Sequence, residues 1–148
     1  MSTPSTTPRF QLFQERCQAA GLPMTIQRRT VLEVLDGRLD HPTVDVLFDE
    51  ISERLPGTSK ATVYRALETL CEFGLAQRVA HPGSAVRFDP NVEPHHHFLC
   101  EACGAMSDVP GDELSGELPT WVAGPGTIVR EASVTFRGTS CPRCPTPS

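Results

Sequence analysis

Four of the six cysteines stand as two Cys-x-x-Cys pairs, Cys100/Cys103 and Cys141/Cys144, with 37 residues between them. Soft thiolates suit Zn²⁺, and the two-residue spacing lets each pair clamp one side of a tetrahedral ion. The pattern predicts a structural zinc with no open position for catalysis. Two redox-active dithiols are the alternative, although such a pair more usually opens a helix after a strand. Cys17 and Cys71 lie beside apolar residues in helical patterns and read as buried small hydrophobes.

A second set of donors begins at His95-His96-His97. Alternate side chains of a strand share a face, so His95 and His97 form one clamp while His96 points the other way. Asp89, Asp108 and His41 are candidates to complete a site of three histidines and two aspartates. That nitrogen/oxygen mixture suits Fe²⁺ or Mn²⁺ and, less selectively, Zn²⁺ or Ni²⁺. A surface-exposed histidine run is the competing reading, and for His96 solvent exposure is the expectation. A third group, Lys60, Thr62, Tyr64 and Arg65, offers contacts to phosphates and base edges from one helix, with Arg28, Arg29 and Arg78 able to grip a nucleic-acid backbone nearby. An ordinary solvated helix face has the same residue types.

The elements that must position these groups are legible from periodicity and caps. Phe10 to Ala20 reads as a short helix ended by Gly21 and Pro23. Thr25 caps a second helix, Ile26 to Asp36, closed by Gly37. Thr43 caps a third, in which Val44, Leu47, Phe48, Ile51 and Leu55 form a one-sided apolar stripe stopped by Pro56-Gly57. Ser59 opens a fourth that runs to Phe73, buries Val63, Leu67 and Leu70, and stops at Gly74. Two alternating segments, Leu75 to Ala80 and Ala85 to Asp89, flank the turn His81-Pro82-Gly83-Ser84. Helices followed by a hairpin suggest a winged helix-turn-helix. Beyond a hinge at 90–94, His95 to Glu101, Ala105 to Val109 and Thr127 to Phe136 read as strands, and Asp112 to Leu118 as a short helix. This second module has little core of its own, which a structural metal would supplement.

The chain of 148 residues carries a net charge of −5 and is 39% hydrophobic. The charge is uneven: residues 1–88 hold 10 basic and 10 acidic side chains, residues 89–148 only 3 and 8. Bulk electrostatic binding of nucleic acid is excluded, but a neutral first module can still present a locally basic face. No apolar stretch is long enough to cross a bilayer. The Ser/Thr/Pro-rich start lacks the charged and apolar segments of an export signal, so the expected compartment is the cytoplasm. No base, nucleophile or cofactor motif stands out. A metalloenzyme using His95, His97 and a carboxylate, or a zinc-ribbon interaction module without DNA contact, are the rival classes.

Taken together, Ala61-Thr62-Val63-Tyr64-Arg65-Ala66-Leu67, Arg87-Phe88-Asp89, His95 through Gly104 and the final Cys141/Cys144 pair closely resemble the ferric uptake regulator family in order and spacing. Ala20-Gly21-Leu22, Thr25 and Arg28 resemble its approach to the second helix, and His41-Pro42-Thr43 the start of its third. The resemblance covers roughly Phe10 to Cys144. The low-complexity start reads as a disordered tail at 1–8, and the resemblance implies an α+β protein: a winged-helix DNA-binding domain at 9–89, the hinge, and a small α/β dimerisation domain with structural zinc at 95–148.

The resemblance also implies function. It makes the chain a homodimeric, metal-dependent transcription repressor acting on double-stranded operator DNA, with no membrane partner and no enzymatic activity. Tyr64 and Arg65 would lie on the DNA-reading helix, with Arg28, Lys60 and Thr62 the further DNA contacts expected from their types; Cys100, Cys103, Cys141 and Cys144 would hold zinc. His41, Asp89, His95, His97 and Asp108 would hold a regulatory Fe²⁺ or Mn²⁺. Aspartate at position 89 is similar to the peroxide-sensing branch, where iron-sensing relatives tend to carry glutamate; iron, manganese or zinc uptake regulation is the alternative. The segment between Asp108 and Thr127 is shorter and more broken by Pro and Gly than in many relatives. The last strand lacks a histidine that some carry, and one extra residue stands between Gly138 and Cys141.

Overall fold

The computed structural model describes residues 7–81, 83–113, 124–129 and 132–144. The chain divides into two compact units, Met1–Val92 and Glu93–Ser148.

The first unit runs α1 (Pro8–Ala19), α2 (Ile26–Leu35), α3 (Val44–Arg54), α4 (Lys60–Glu72), β1 (Gln77–Val79) and β2 (Arg87–Asp89). Every helix begins in the same way. The hydroxyls of Thr7, Thr25, Thr43 and Ser59 accept from the amides of Phe10, Arg28, Val46 and Thr62, satisfying a donor that the first turn leaves open. Each such cap is worth about 1 kcal/mol. The first helix starts earlier than the sequence pattern suggests, because Pro8 is suited to the first helical turn and Thr7 caps it. Thr7 and Pro8 are therefore part of the fold, and the remainder of the expected tail lies outside the described residues.

Apolar spacing places the core as expected. Leu47 and Ile51 of α3 and Val63, Leu67 and Leu70 of α4 are buried against Val31, Leu32 and Leu35 of α2 and Phe13 of α1. Phe88, fully buried, carries β2 into this cluster. Gly74 ends the fourth helix at φ 71°, and a Cβ there would also meet the Arg16 guanidinium at 3.2 Å. The wing is a short antiparallel hairpin in register Gln77↔Asp89 and Val79↔Arg87, three residues on each side. It is shorter than the alternating segments, and Ser84 N–H donates to the His81 carbonyl at 3.1 Å between the two strands.

The described part of the second unit is a sheet of order β4-β3-β5: β3 (His95–Cys100) between antiparallel β4 (Met106–Pro110) and parallel β5 (Thr135–Gly138). The expected strand over Thr127 to Phe136 is displaced toward the C-terminus. The Val134 amide is taken by a histidine side chain, so regular pairing with β3 starts at Thr135. Gly138 lies so close to Phe98 that a Cβ would fall 2.7 Å from its ring, so any larger residue there would have to displace that ring. After β4 the chain makes a single 3₁₀ turn, Gly111–Glu113; the rest of the helix expected to Leu118 lies outside the described residues. No helix among the described residues is long and apolar enough to cross a membrane.

Candidate metal centre

Cys100 ends β3, and the turn after it brings Cys103 back toward it, with Gly104 N–H donating to the Cys100 carbonyl at 2.8 Å and Cys100 N–H to that of Ala105 at 2.9 Å. β5 runs parallel to β3, so the chain beyond Gly138 delivers the second pair to the same end of the sheet. The sulfurs of Cys100 and Cys144 are 3.4 Å apart, those of Cys103 and Cys141 3.5 Å, and those of Cys141 and Cys144 3.8 Å. Four sulfurs at Zn–S distances of about 2.3 Å in a tetrahedron are about 3.8 Å from one another. The cluster therefore has the size zinc requires. The Cys103 amide leads in lowering the Cys100 thiol to about 7, helped by the Cys144 thiol and the Ala102 amide against the effect of burial. For Cys144 the Cys141 amide acts downward, but the shared proton with Cys100, burial and Cys103 outweigh it and raise the thiol to about 12. One sulfur is close to the thiolate form at neutral pH, while others must release protons as an ion binds.

The histidine strand supplies a different donor set within the same unit. His97 stands directly opposite Asp108 in the β3/β4 ladder, and His95 is its same-face neighbour. Asp108 Oδ1 consequently lies 3.1 Å from His95 Nε2 and 3.7 Å from His97 Nε2, with the two imidazoles stacked edge to face at 4.6 Å. His95 Nδ1 is 2.6 Å from the Glu93 carbonyl, which can only accept, so Nδ1 carries the proton and Nε2 is left to face the carboxylate. A neutral imidazole in that tautomer sets a lone pair against a carboxylate oxygen, an arrangement that a cation between them relieves. All three histidines are buried, so the strand is not a surface-exposed histidine run. The expectation of solvent exposure for His96 is overturned: it is 6% exposed and its Nδ1 accepts the Val134 amide at 3.0 Å. Alternation sends it to the face opposite His95 and His97, where the Val134 amide meets it.

In the first unit, His41 and Asp89 form a second histidine/carboxylate pair. His41 Nε2 is 3.3 Å from Asp89 Oδ2, and both side chains are almost wholly buried. Asp89 Oδ1 accepts the Asn91 amide at 2.9 Å, which leaves Oδ2 for the imidazole. His41 has φ 51°, making it the one non-glycine residue at positive φ among those described, and it precedes a proline. Such backbone persists only where its surroundings hold it. β2 does so: Phe88 N–H donates to the Pro42 carbonyl at 2.9 Å, Arg87 Nη1 to that of His41 at 3.3 Å, and Thr43 bridges to Arg87. Sequence reasoning overlooked the neighbours on the other side. Arg38 grips Asp40 with two nitrogens and reaches Glu50 on α3 with a third. This hydrogen-bonded fork holds the Asp40 carboxyl below the ordinary range, against the effect of burial.

The candidate DNA-contact residues are less uniform than their types suggest. Tyr64 and Arg65 are exposed on α4 and, with Val44, Asp45, Lys60 and Ala61, line an open hollow of about 590 Å³. Lys60 is ion-paired with Asp45, and the Thr62 hydroxyl is bonded to Ser59 in the helix cap. Arg28 donates to the Pro23 carbonyl; Arg78 pairs with Glu68 at 2.9 Å and lies over the Tyr64 ring.

Known proteins of like sequence and fold agree with the motifs. The profile of the Ferric uptake regulator family matches residues 19–136. A peroxide-responsive repressor, PerR, of Staphylococcus epidermidis is 34% identical over 89 residues, 60% of this chain and 59% of the relative's own length. The chain thus matches less than two thirds of that repressor. A Campylobacter jejuni peroxide stress regulator superposes with a TM-score of 0.67 at 29% identity, over 90% of this chain and 97% of that one. The Vibrio cholerae ferric uptake regulator shares the fold at a TM-score of 0.70 and 23% identity, over 86% and 98%.

Proposed function

Because the chain belongs to the ferric uptake regulator family, whose members are transcription regulators rather than enzymes, we propose that it is a metal-responsive repressor binding operator DNA as a homodimer. The observation that carries this reading is the burial of histidines against carboxylates on both donor sets, His41 with Asp89 and His95 and His97 with Asp108. Buried imidazole and carboxylate of this kind suit a divalent first-row cation, whereas the four thiolates suit structural zinc.

We assign all five nitrogen and oxygen donors to a single regulatory ion, Fe²⁺ or Mn²⁺. Neither donor set alone fills the coordination such ions prefer, and together they supply five ligands. Each chain contributes one reading helix, α4, with Tyr64 and Arg65 toward base edges and Lys60 and Arg28 toward phosphate. A dimer must hold two such helices about 34 to 36 Å apart to enter successive major grooves. The ion acts by population shift: its differential affinity favours the arrangement that fits DNA, and taking a 1:99 mixture to 99:1 needs about 5.5 kcal/mol.

The finer reading is peroxide response. Asp89 and the likeness to peroxide-responsive proteins support it. Ferrous iron supplies one-electron peroxide chemistry when bound. The chain's part is to place His41 and His95 where a ring can be oxidised, ending their role as ligands.

The test is selection of bound duplexes from a random-sequence pool by the zinc-loaded chain, with Mn²⁺, Fe²⁺, Zn²⁺ or Ni²⁺ added singly. Retention of one motif that requires Mn²⁺ or Fe²⁺, falls with salt and is abolished by peroxide only in the iron form is the expected result. Equal retention in chelator and in metal would refute it.

A further inference from the structure

The turn between α2 and α3 holds His41 from two directions, and only one is explained by the wing. On the chain's approach to His41, Arg38 Nε and Nη2 meet Asp40 Oδ1 and Oδ2 at 2.9 and 2.7 Å, and Arg38 Nη1 meets Glu50 Oε2 at 2.5 Å. Glu50 Oε1 in turn accepts from Arg54 one helical turn on, at 3.1 Å. The fork therefore ties the residue immediately before His41 to the middle of a helix whose Leu47 and Ile51 are fixed in the core. We propose that Arg38 is a positioning residue for the regulatory metal, holding the left-handed backbone of His41 so that its imidazole stays aimed at Asp89.

A histidine at φ 51° before a proline relaxes toward extended backbone unless both flanks are fixed. Pro42 and Thr43 are fixed by β2, and Asp40 is fixed by Arg38. A planar guanidinium satisfies two carboxylates at once with fixed angles; a lysine ammonium in the same place keeps the charge and loses the fork. Charge alone at position 38 is therefore insufficient. The inference rests on the assignment of His41 as a ligand.

The experiment measures Mn²⁺ binding by full-length zinc-loaded chain, by calorimetry and by loss of the free Mn²⁺ paramagnetic resonance signal, for Arg38→Gln, Arg38→Lys, Asp40→Asn and His41→Ala. Thermal unfolding without Mn²⁺ is recorded for each. Loss of a partner that orients a ligand costs roughly 10- to 100-fold in metal affinity. Arg38→Gln and Arg38→Lys should both fall in that range, Asp40→Asn should follow them, and zinc content should be unchanged. Wild-type Mn²⁺ affinity in Arg38→Gln, or full rescue by Arg38→Lys, overturns the proposal. So does a loss of thermal stability with Mn²⁺ affinity intact. If His41→Ala binds Mn²⁺ as the unaltered chain does, the assignment of the ligand fails and the inference falls with it; if only His41→Ala is impaired, the assignment stands and the role of Arg38 alone is refuted.

Discussion

His41 Nε2 and Asp89 Oδ2 lie 3.3 Å apart, both side chains almost wholly buried, one on the turn before α3 and the other at the end of the wing. The contact exists because Phe88 is driven into the helical core and carries Asp89 with it, while the Phe88 amide holds Pro42 and so sets where His41 begins. A buried carboxylate demands a cation or hydrogen bonds. This one has the Asn91 amide on one oxygen and the His41 imidazole beside the other.

His97→Ala should weaken Mn²⁺ binding by at least about tenfold, since losing a ligand exceeds the loss of a supporting contact. Zinc, held at the other end of the sheet by sulfur, should stay at about one per chain by elemental analysis. Zinc lost in parallel would mean that the two donor sets are not independent.

Cys141→Ser removes one corner of the tetrahedron. Structural zinc in small domains supplies about 10–16 kcal/mol of coupled folding free energy, and the buried apolar side chains of the described sheet are only Leu99, Cys100 and Met106. The variant should lose zinc and the cooperative melting of the second unit together, and chelator should reproduce the effect in the unaltered chain.

Arg65→Ala and Lys60→Ala should separate base reading from phosphate binding. Arg65 is exposed and, if it reads a base edge, its loss costs about 1–3 kcal/mol and relaxes preference at one position. Lys60 already shares its charge with Asp45, so its removal should lower affinity evenly across sequences and reduce the salt slope by about 1 at most. Fluorescence anisotropy on selected and scrambled duplexes, over a range of salt, distinguishes the two.

Peroxide applied to the iron-loaded chain should add one oxygen atom to a peptide containing His41 or His95, detected by mass spectrometry. Manganese loading should protect both. Unchanged masses together with metal-dependent DNA retention would identify a metal sensor without peroxide chemistry.

Burial raises the Cys17 thiol above its ordinary 9.0, with Arg28 opposing, and does the same for Cys71 against Arg78. A thiol raised on folding holds its proton longer in the folded chain, so its stabilising contribution is complete below pH 9 and is lost as pH rises through the folded value. Urea midpoints should therefore fall on going from neutral to alkaline pH, and Cys71→Ala should flatten that fall.

What the sequence determined by itself was local or chemical. Hydroxyl caps marked three of the helices, and glycine and proline stops helped bound all four, because these signals act within one or two turns. The Cys-x-x-Cys pairs announced zinc, because ligand type and spacing are the site's own requirements. Strand alternation put His95 and His97 on one face, and pleat geometry does not depend on the partner. Tertiary structure alone decided the rest. The covering of His96 by the Val134 amide, the start of β5 at Thr135, the left-handed backbone at His41 and the grip of Arg38 on Asp40 and Glu50 all depend on segments distant in the chain. Burial and side-chain pairing are properties of what folds against a residue. No periodicity within a segment records them.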